Sequence, residues 1–247
     1  MTWGIIVSGD VQFGNKKVRN YKHYELDKII LSKEEKNIEM VITAGDLTQD
    51  GTDGKSFCGI RRKTEDQLTQ LKKEWVEPLE NEGIKVLTTL GNHDTYCGHP
   101  YFYKPVFKYV KELHDATYYP WIWKNYSGYY KYEYKGILFL ACGIYPKYLK
   151  WIRKNLDKSK PMIIFYHYNM VDGEPFSGWW SDKEKDAFYN IIKPYKKNIL
   201  CIINGHIHST YEKEWRGIRV INGSGNNMVL LNMENNKIKD LEFIRND

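Results

Sequence analysis

The sequence predicts an α/β protein built from two mixed β-sheets packed face to face with helices outside. Three observations carry that prediction. Five short apolar runs, rich in Val and Ile, recur along the chain and have the composition of strands covered on both faces. Helical stretches separate the first three of them. The chain closes with four β-like segments after His208.

The apolar runs are Trp3 to Val7, Glu39 to Thr43, Ile84 to Leu90, Met162 to Tyr166 and Ile199 to Ile203. Helices are predicted over Tyr21 to Glu35 and over Lys63 to Glu80, where Leu68, Leu71, Trp75 and Leu79 recur at helical spacing. The β-α-β-α-β order implies parallel strands with crossover helices. Tyr126 to Tyr134 and Ile137 to Cys142 read as an antiparallel pair around Lys135-Gly136, with helices at Tyr148 to Leu156 and Ser181 to Ile192. Segments near Thr210 to Trp215, Ile218 to Ile221, Met228 to Asn232 and Ile238 to Phe243 read as a closing β-meander.

At 247 residues, with no Pro/Gly/Ser-rich linker and no repeat, the chain is expected to form one domain, residues 1–247. A hydrophobic content of 42% and an aromatic content of 15% supply a core and exclude a disordered chain. The charge is mildly basic: 37 Lys and Arg against 31 Asp and Glu. Clusters at Lys16-Lys17, Arg61-Arg62-Lys63 and Lys196-Lys197 lack the density of a nucleic-acid stripe, so solvated surface is the simpler account, with attraction for an anionic substrate as the functional one. No CxxC occurs among Cys58, Cys97, Cys142 and Cys201, and no apolar run of about 18 residues exists. With no leader-like start, a cytoplasmic chain with reduced thiols and no membrane contact is expected. Oligomeric state leaves no mark on the sequence.

The residues just after each apolar run are more informative than the run itself. The first run ends in Gly9-Asp10-Val11-Gln12, the second in Gly45-Asp46, the third in Gly91-Asn92-His93-Asp94, the fourth in His167, and the fifth in Gly205-His206-Ile207-His208. In a parallel sheet such ends gather along one edge, where α/β folds bind ligands. Taken singly, His167 reads as a satisfied buried histidine, Asp46 as a helix cap and Asn92 as a turn residue. Together they form a mixed oxygen and imidazole set of the kind that holds divalent ions.

This order of motifs resembles the calcineurin-like metallophosphoesterase superfamily and spans Asp10 to His208. The resemblance implies a four-layer α/β/β/α sandwich and a phosphoester hydrolase that uses two divalent ions to activate water. Asp46 would bridge both ions. Asp10 and His208 would bind the first, with Gln12 in the place of a histidine, and Asn92, His167 and His206 would bind the second. His93 would act at the leaving group or on the phosphate oxygens, and Asp94 would orient His93 by a hydrogen bond.

Gln12 is the main departure. An amide oxygen is a harder, weaker donor than imidazole, which favours Mn²⁺ or Mg²⁺ over Zn²⁺; Fe²⁺ and Ni²⁺ are further candidates. Asp-x-Gln is similar to the manganese-dependent ADP-ribose/CDP-alcohol diphosphatases, over one tripeptide. The segment Gly45-Asp46-Leu47-Thr48-Gln49-Asp50-Gly51 lacks the arginine of the Ser/Thr protein phosphatases, although Arg61 or Arg62 could stand in for it. A phosphodiester or diphosphate bond in a small nucleotide-like substrate is therefore expected. Phosphomonoester hydrolysis, a nuclease and a non-catalytic scaffold of the same fold are the alternatives. His99 reads as an exposed loop residue or a pocket residue. Phe176, Trp179 and Trp180 would either stack on a nucleobase or pack their loop onto the sandwich.

Overall fold

The computed structural model describes residues 2–49, 67–95, 105–118, 126–174 and 180–245. The strand β1 (Thr2–Val7) lies parallel to β2 (Ile38–Thr43), which lies parallel to β3 (Lys85–Thr88). Residues Trp3 to Val7 are all buried, as expected of a strand covered on both faces. Near the other end of the chain, β10 (Asn227–Glu234) pairs antiparallel with β1, and β11 (Lys237–Arg245) forms the edge. The order in this sheet is β11-β10-β1-β2-β3.

The second sheet runs β4-β5-β6-β7-β9-β8. Here β4 (Tyr129–Tyr134) and β5 (Ile137–Cys142) form the predicted antiparallel pair, and β6 (Met162–Phe165) and β7 (Ile199–Asn204) continue in parallel. β9 (Ile218–Gly223) is parallel to β7, and β8 (Thr210–Trp215) pairs antiparallel with β9. The two mixed sheets are flanked by helices, the predicted α/β sandwich.

The closing segments do not form one meander. They split, β8 and β9 completing the second sheet while β10 and β11 complete the first. The reason is burial. Val229 to Leu231 are fully buried, and a place inside the first sheet, hydrogen-bonded between β1 and β11, keeps both of their faces within the sandwich.

The helix α1 (Lys16–Lys36) starts earlier than its apolar stripe because Asn15 caps it, its side chain accepting from the Lys17 and Val18 amides. Val18, Leu26 and Ile29 are buried beside a fully buried trio in which Lys22 donates to Ser8 and Glu25, 2.9 Å each, and Ser8 donates to Glu25 at 2.6 Å. The second predicted helix is a run of α2 (Gln67–Leu71), a π-helical turn (Lys72–Val76) and α3 (Glu77–Asn81). Lys63 to Asp66 lie outside the described residues. Helices α5 (Leu149–Asn155) and α6 (Asp182–Ile192) fall where the sequence predicts them, and α4 (Pro105–His114) is an addition to the prediction. No helix among the described residues is long and apolar enough to cross a membrane.

Candidate metal centre

Each predicted ligand lies just past a strand end: Asp10 and Gln12 after β1, Asp46 after β2, Asn92 after β3, His167 after β6, and His206 and His208 after β7. The β1–β2 and β6–β7 pairs are parallel, so those ends point the same way. The backbone bends sharply at these points. Asp10, Gln12, Asp46, His206 and His208 all have positive φ, between 39° and 78°. Such conformations cost L-residues about 1–2 kcal/mol each, and they collect where a structure over-determines a site. Close approach needs glycine beside two of these residues. A Cβ on Gly91 would fall 2.1 Å from Asp46 Oδ1, and one on Gly205 would fall 2.5 Å from the Ala44 carbonyl oxygen and 2.8 Å from Asp10 Oδ2.

The side chains converge on Asp46. Its Oδ2 lies 3.3 Å from His167 Nε2, 3.4 Å from Gln12 Nε2 and 3.9 Å from His93 Nε2. Its Oδ1 accepts the His93 backbone N–H at 2.8 Å. To one side, His208 Nε2 lies 3.3 Å from Asp10 Oδ1 and 3.4 Å from the Gln12 amide. To the other, Asn92 Oδ1 lies 3.0 Å from His167 Nε2, and Asp46, His167 and His206 offer donor atoms within 4.8 Å of one another.

These residues fit divalent ions. Two donors on one ion, with bonds of about 2.0–2.2 Å, sit about 3.0–3.5 Å apart, and the carboxylate, amide-oxygen and imidazole pairs above span 3.0 to 3.3 Å. His167 Nδ1 donates to the Ala44 carbonyl at 2.8 Å, since a carbonyl can only accept, and this turns Nε2 into the cluster. Asp10 Oδ1 is buried and accepts no hydrogen bond among the described residues.

Electrostatics agree. Burial alone would lower the His167 pKa, but the Asp46 and Asp10 carboxylates outweigh it and raise it to about 9. Burial pushes Asp46 up, yet His167 and His93 hold it below the usual carboxylate range. Burial and the neighbouring His167 push His206 down to about 3, while the Asp10 carboxylate, 3.3 Å away, raises His208. Metal binding takes neutral imidazole, so it would release the His167 proton.

Asp94, predicted to orient His93, is anchored on the backbone of the neighbouring turns. Its fully buried carboxylate accepts from the Leu47, Thr48 and Gly91 amides and from the Thr48 hydroxyl, at 2.8 to 3.2 Å, bracing the Asp46 loop against the Asn92 turn. Burial and the nearby Asp46 raise its pKa to about 6. The His93 ring is held by Gln49, whose carbonyl lies 2.7 Å from Nδ1. Gln49 has no sequence signal beyond its place three residues after Asp46. Trp180 is 2% exposed, packs on Tyr166 and Phe188 and donates to the Asn169 carbonyl, so it anchors its loop and presents no face to a base. Phe176, Trp179, His99, Asp50, Gly51, Arg61, Arg62, Cys58 and Cys97 lie outside the described residues. Cys142 and Cys201 are free, buried thiols, and burial pushes the Cys201 pKa up to about 12.

Two mixed sheets with an Asp46–His167–His206 group able to hold a metal at their strand ends fit the class of metal-dependent phosphoester hydrolases. The model for the calcineurin-like phosphoesterase family matches residues 4–210, and the chain belongs to that family. Solved structures agree at the level of the fold. A dimetal phosphatase from Danio rerio has a TM-score of 0.65 at 14% identity, covering 99% of both chains. The GAP50 anchor of the Plasmodium inner membrane complex has a TM-score of 0.57 at 11% identity, covering 100% of this chain and 89% of that one. Purple acid phosphatase PPD1 from yellow lupin (Lupinus luteus) has a TM-score of 0.58 at 14% identity, covering 100% of this chain and 54% of that one. No curated protein sequence matches the chain.

Proposed function

We propose that this protein is a single-domain hydrolase that cleaves a phosphodiester or diphosphate bond in a small nucleotide-like substrate, using two divalent ions, Mn²⁺ before Mg²⁺, Fe²⁺, Zn²⁺ or Ni²⁺. The observation that carries the catalytic reading is Asp46. Its Oδ2 lies 3.3 Å from His167 Nε2 and accepts from the Gln12 amide at 3.4 Å, and His93 Nε2 stands 3.9 Å away, which supports a carboxylate placed between the two ligand sets. Asp10, Gln12, Asp46 and His208 would hold one ion, and Asp46, Asn92, His167 and His206 the other. When bound, the ions neutralise phosphate charge, lower the pKa of water and stabilise the leaving oxygen.

The remaining steps fall to the chain. Water adds to phosphorus, the bond to the leaving oxygen breaks, and that oxygen takes a proton. His93 is 21% exposed at its side chain and sits at the open rim. Its Nδ1–H is engaged with Gln49, so in the doubly protonated imidazolium Nε2 is the atom that supplies the proton or stabilises the phosphate oxygens. Gln12 supports the choice of Mn²⁺, because an amide oxygen loses less as a ligand there than with Zn²⁺. The mild positive charge of +6 favours an anionic substrate. A cytoplasmic setting belongs to the same proposal and is supported by the free thiols Cys142 and Cys201.

The test is an activity panel on metal-stripped protein. Each metal is added back in turn and offered p-nitrophenyl phosphate, bis-p-nitrophenyl phosphate, cyclic nucleotides, ADP-ribose and CDP-choline. Turnover of diesters or diphosphates with Mn²⁺, slowed about 10²–10⁴-fold in His93→Ala with metals retained, supports the proposal. Turnover of the monoester alone moves the reading to a phosphomonoesterase. Folded protein with no turnover under any metal moves it to a scaffold.

A further inference from the structure

The way His93 is held goes beyond the family motifs. Its Nδ1 lies 2.7 Å from the Gln49 carbonyl oxygen and 3.3 Å from the Gln49 side-chain amide. A carbonyl can only accept, so the shorter contact puts the proton on Nδ1 and fixes one tautomer, with Nε2 turned toward Asp46. Gln49 is itself tied from three directions. Its N–H is shared between the Phe13 carbonyl at 2.9 Å and Gln67 Oε1 at 3.0 Å. Its Oε1 accepts from Asn15 Nδ2 at 3.1 Å. Asn15 caps α1, and Gln67 opens α2 with 1% exposure. Gln67 packs so tightly on Gly14 that a Cβ there would come within 2.6 Å of its side chain.

Every member of this frame is neutral. A carboxylate in the same place would add a charge to a site that already buries Asp10, Asp46 and Asp94. A frame of amides and carbonyls aims the ring without that charge.

We propose that Gln49 and Gln67 are positioning residues for this hydrolase. Gln67 sets the Gln49 main chain and Asn15 its side chain, and the Gln49 carbonyl then selects the His93 tautomer and its direction at the leaving oxygen. The proposal rests on the reading that His93 acts at that oxygen.

The experiment compares wild type, Gln67→Leu, Gln49→Leu, His93→Ala and the Gln67→Leu/His93→Ala double variant in the full chain. The first readout is the ¹⁵N imidazole shift pattern of His93 in metal-free protein, assigned by its loss in His93→Ala. Wild type should show the Nδ1–H form, and Gln67→Leu a mixture. The second readout is turnover, with metal, of bis-p-nitrophenyl phosphate, which has a good leaving group, and of diphenyl phosphate, which has a poor one. Misplacing His93 should lower kcat about 10- to 100-fold on diphenyl phosphate and much less on the nitrophenyl ester, with KM nearly unchanged. The double variant should be no slower than His93→Ala. An Nε2–H tautomer in wild type, equal losses on both substrates, or added loss in the double variant each overturns the proposal. If His93→Ala keeps full rate on both esters, the leaving-group reading fails first and takes the catalytic half of the proposal with it. If His93→Ala is slow but Gln67→Leu is not, only the positioning fails. Gln49→Leu reads the same frame should Gln67→Leu not fold.

Discussion

Gly91→Ala converts the packing of the centre into a number. A Cβ at Gly91 would stand 2.1 Å from Asp46 Oδ1 and 2.2 Å from the Asp46 backbone nitrogen, where real Cβ contacts under 3.0 Å essentially never occur. Asp46 cannot yield by turning its side chain alone, because its main chain is struck as well, so the loop must move by about 1 Å. A shift of that size at the reacting groups costs about 10²-fold in rate, and overpacking costs about 1–3 kcal/mol of stability. The assay is kcat and bound metal on purified Gly91→Ala, beside urea unfolding. Gly83→Ala is the control. Gly83 has φ of +74° and nothing within 4 Å of a Cβ, so the variant should lose about 1 kcal/mol and no activity. If Gly91→Ala keeps wild-type kcat and metal content, Asp46 does not sit where the chemistry is done, and the reasoning is refuted.

The other predictions concern stability. His114 is half-buried, stacks on Tyr130 with ring centroids 4.3 Å apart, and accepts the Thr88 amide on Nε2 at 3.2 Å; desolvation of its ring, then Lys85, lowers its pKa to about 3. Unfolded, it binds a proton near the ordinary histidine value of 6.5. Its contribution is therefore complete above that value and falls as pH drops from there toward 3, by about 2 kcal/mol at pH 5. Chemical unfolding at several pH values should show this slope in wild type and a flatter one in His114→Gln; equal slopes would show that another group sets the pH dependence. At α6, Ser181 and Glu184 form a reciprocal capping box, so Ser181→Ala should cost about 1 kcal/mol in urea unfolding with kcat unchanged. A cost near zero would mean the end of that helix frays freely.

The candidate ligands were legible because each comes directly after an apolar run, and the parallel order of those runs brings the ends together. Gln12, His206 and Asn92 could be named from position alone. Left-handed φ at Asp10, Asp46 and His208 could not, since tertiary packing imposes those angles on residues that resist them. The closing strands were legible as strands but not in their pairing, because the flank of β1 competes with the flank of β7 for similar apolar segments. The helix α4 carries a signal of its own: Pro105 at its start, with Val106, Phe107 and Val110 buried along one stripe. The resemblance implies that Asp94 orients His93; the bond its carboxylate accepts from the Gly91 amide at 2.8 Å is a backbone contact that no motif announces. The hold of Gln49 on His93 runs through a main-chain carbonyl, which no residue type announces.

Metal stoichiometry probes the shared carboxylate without any assumption about substrate. Metal-stripped protein is titrated with Mn²⁺ by calorimetry, and the bound metal is then counted by elemental analysis, in wild type and in Asp46→Asn. A bridging Asp46 requires two equivalents in wild type, with turnover appearing as the second is filled, and loss of both binding and turnover in Asp46→Asn. One equivalent or none in folded wild-type protein, or two equivalents kept by Asp46→Asn, would contradict a carboxylate shared between two ions.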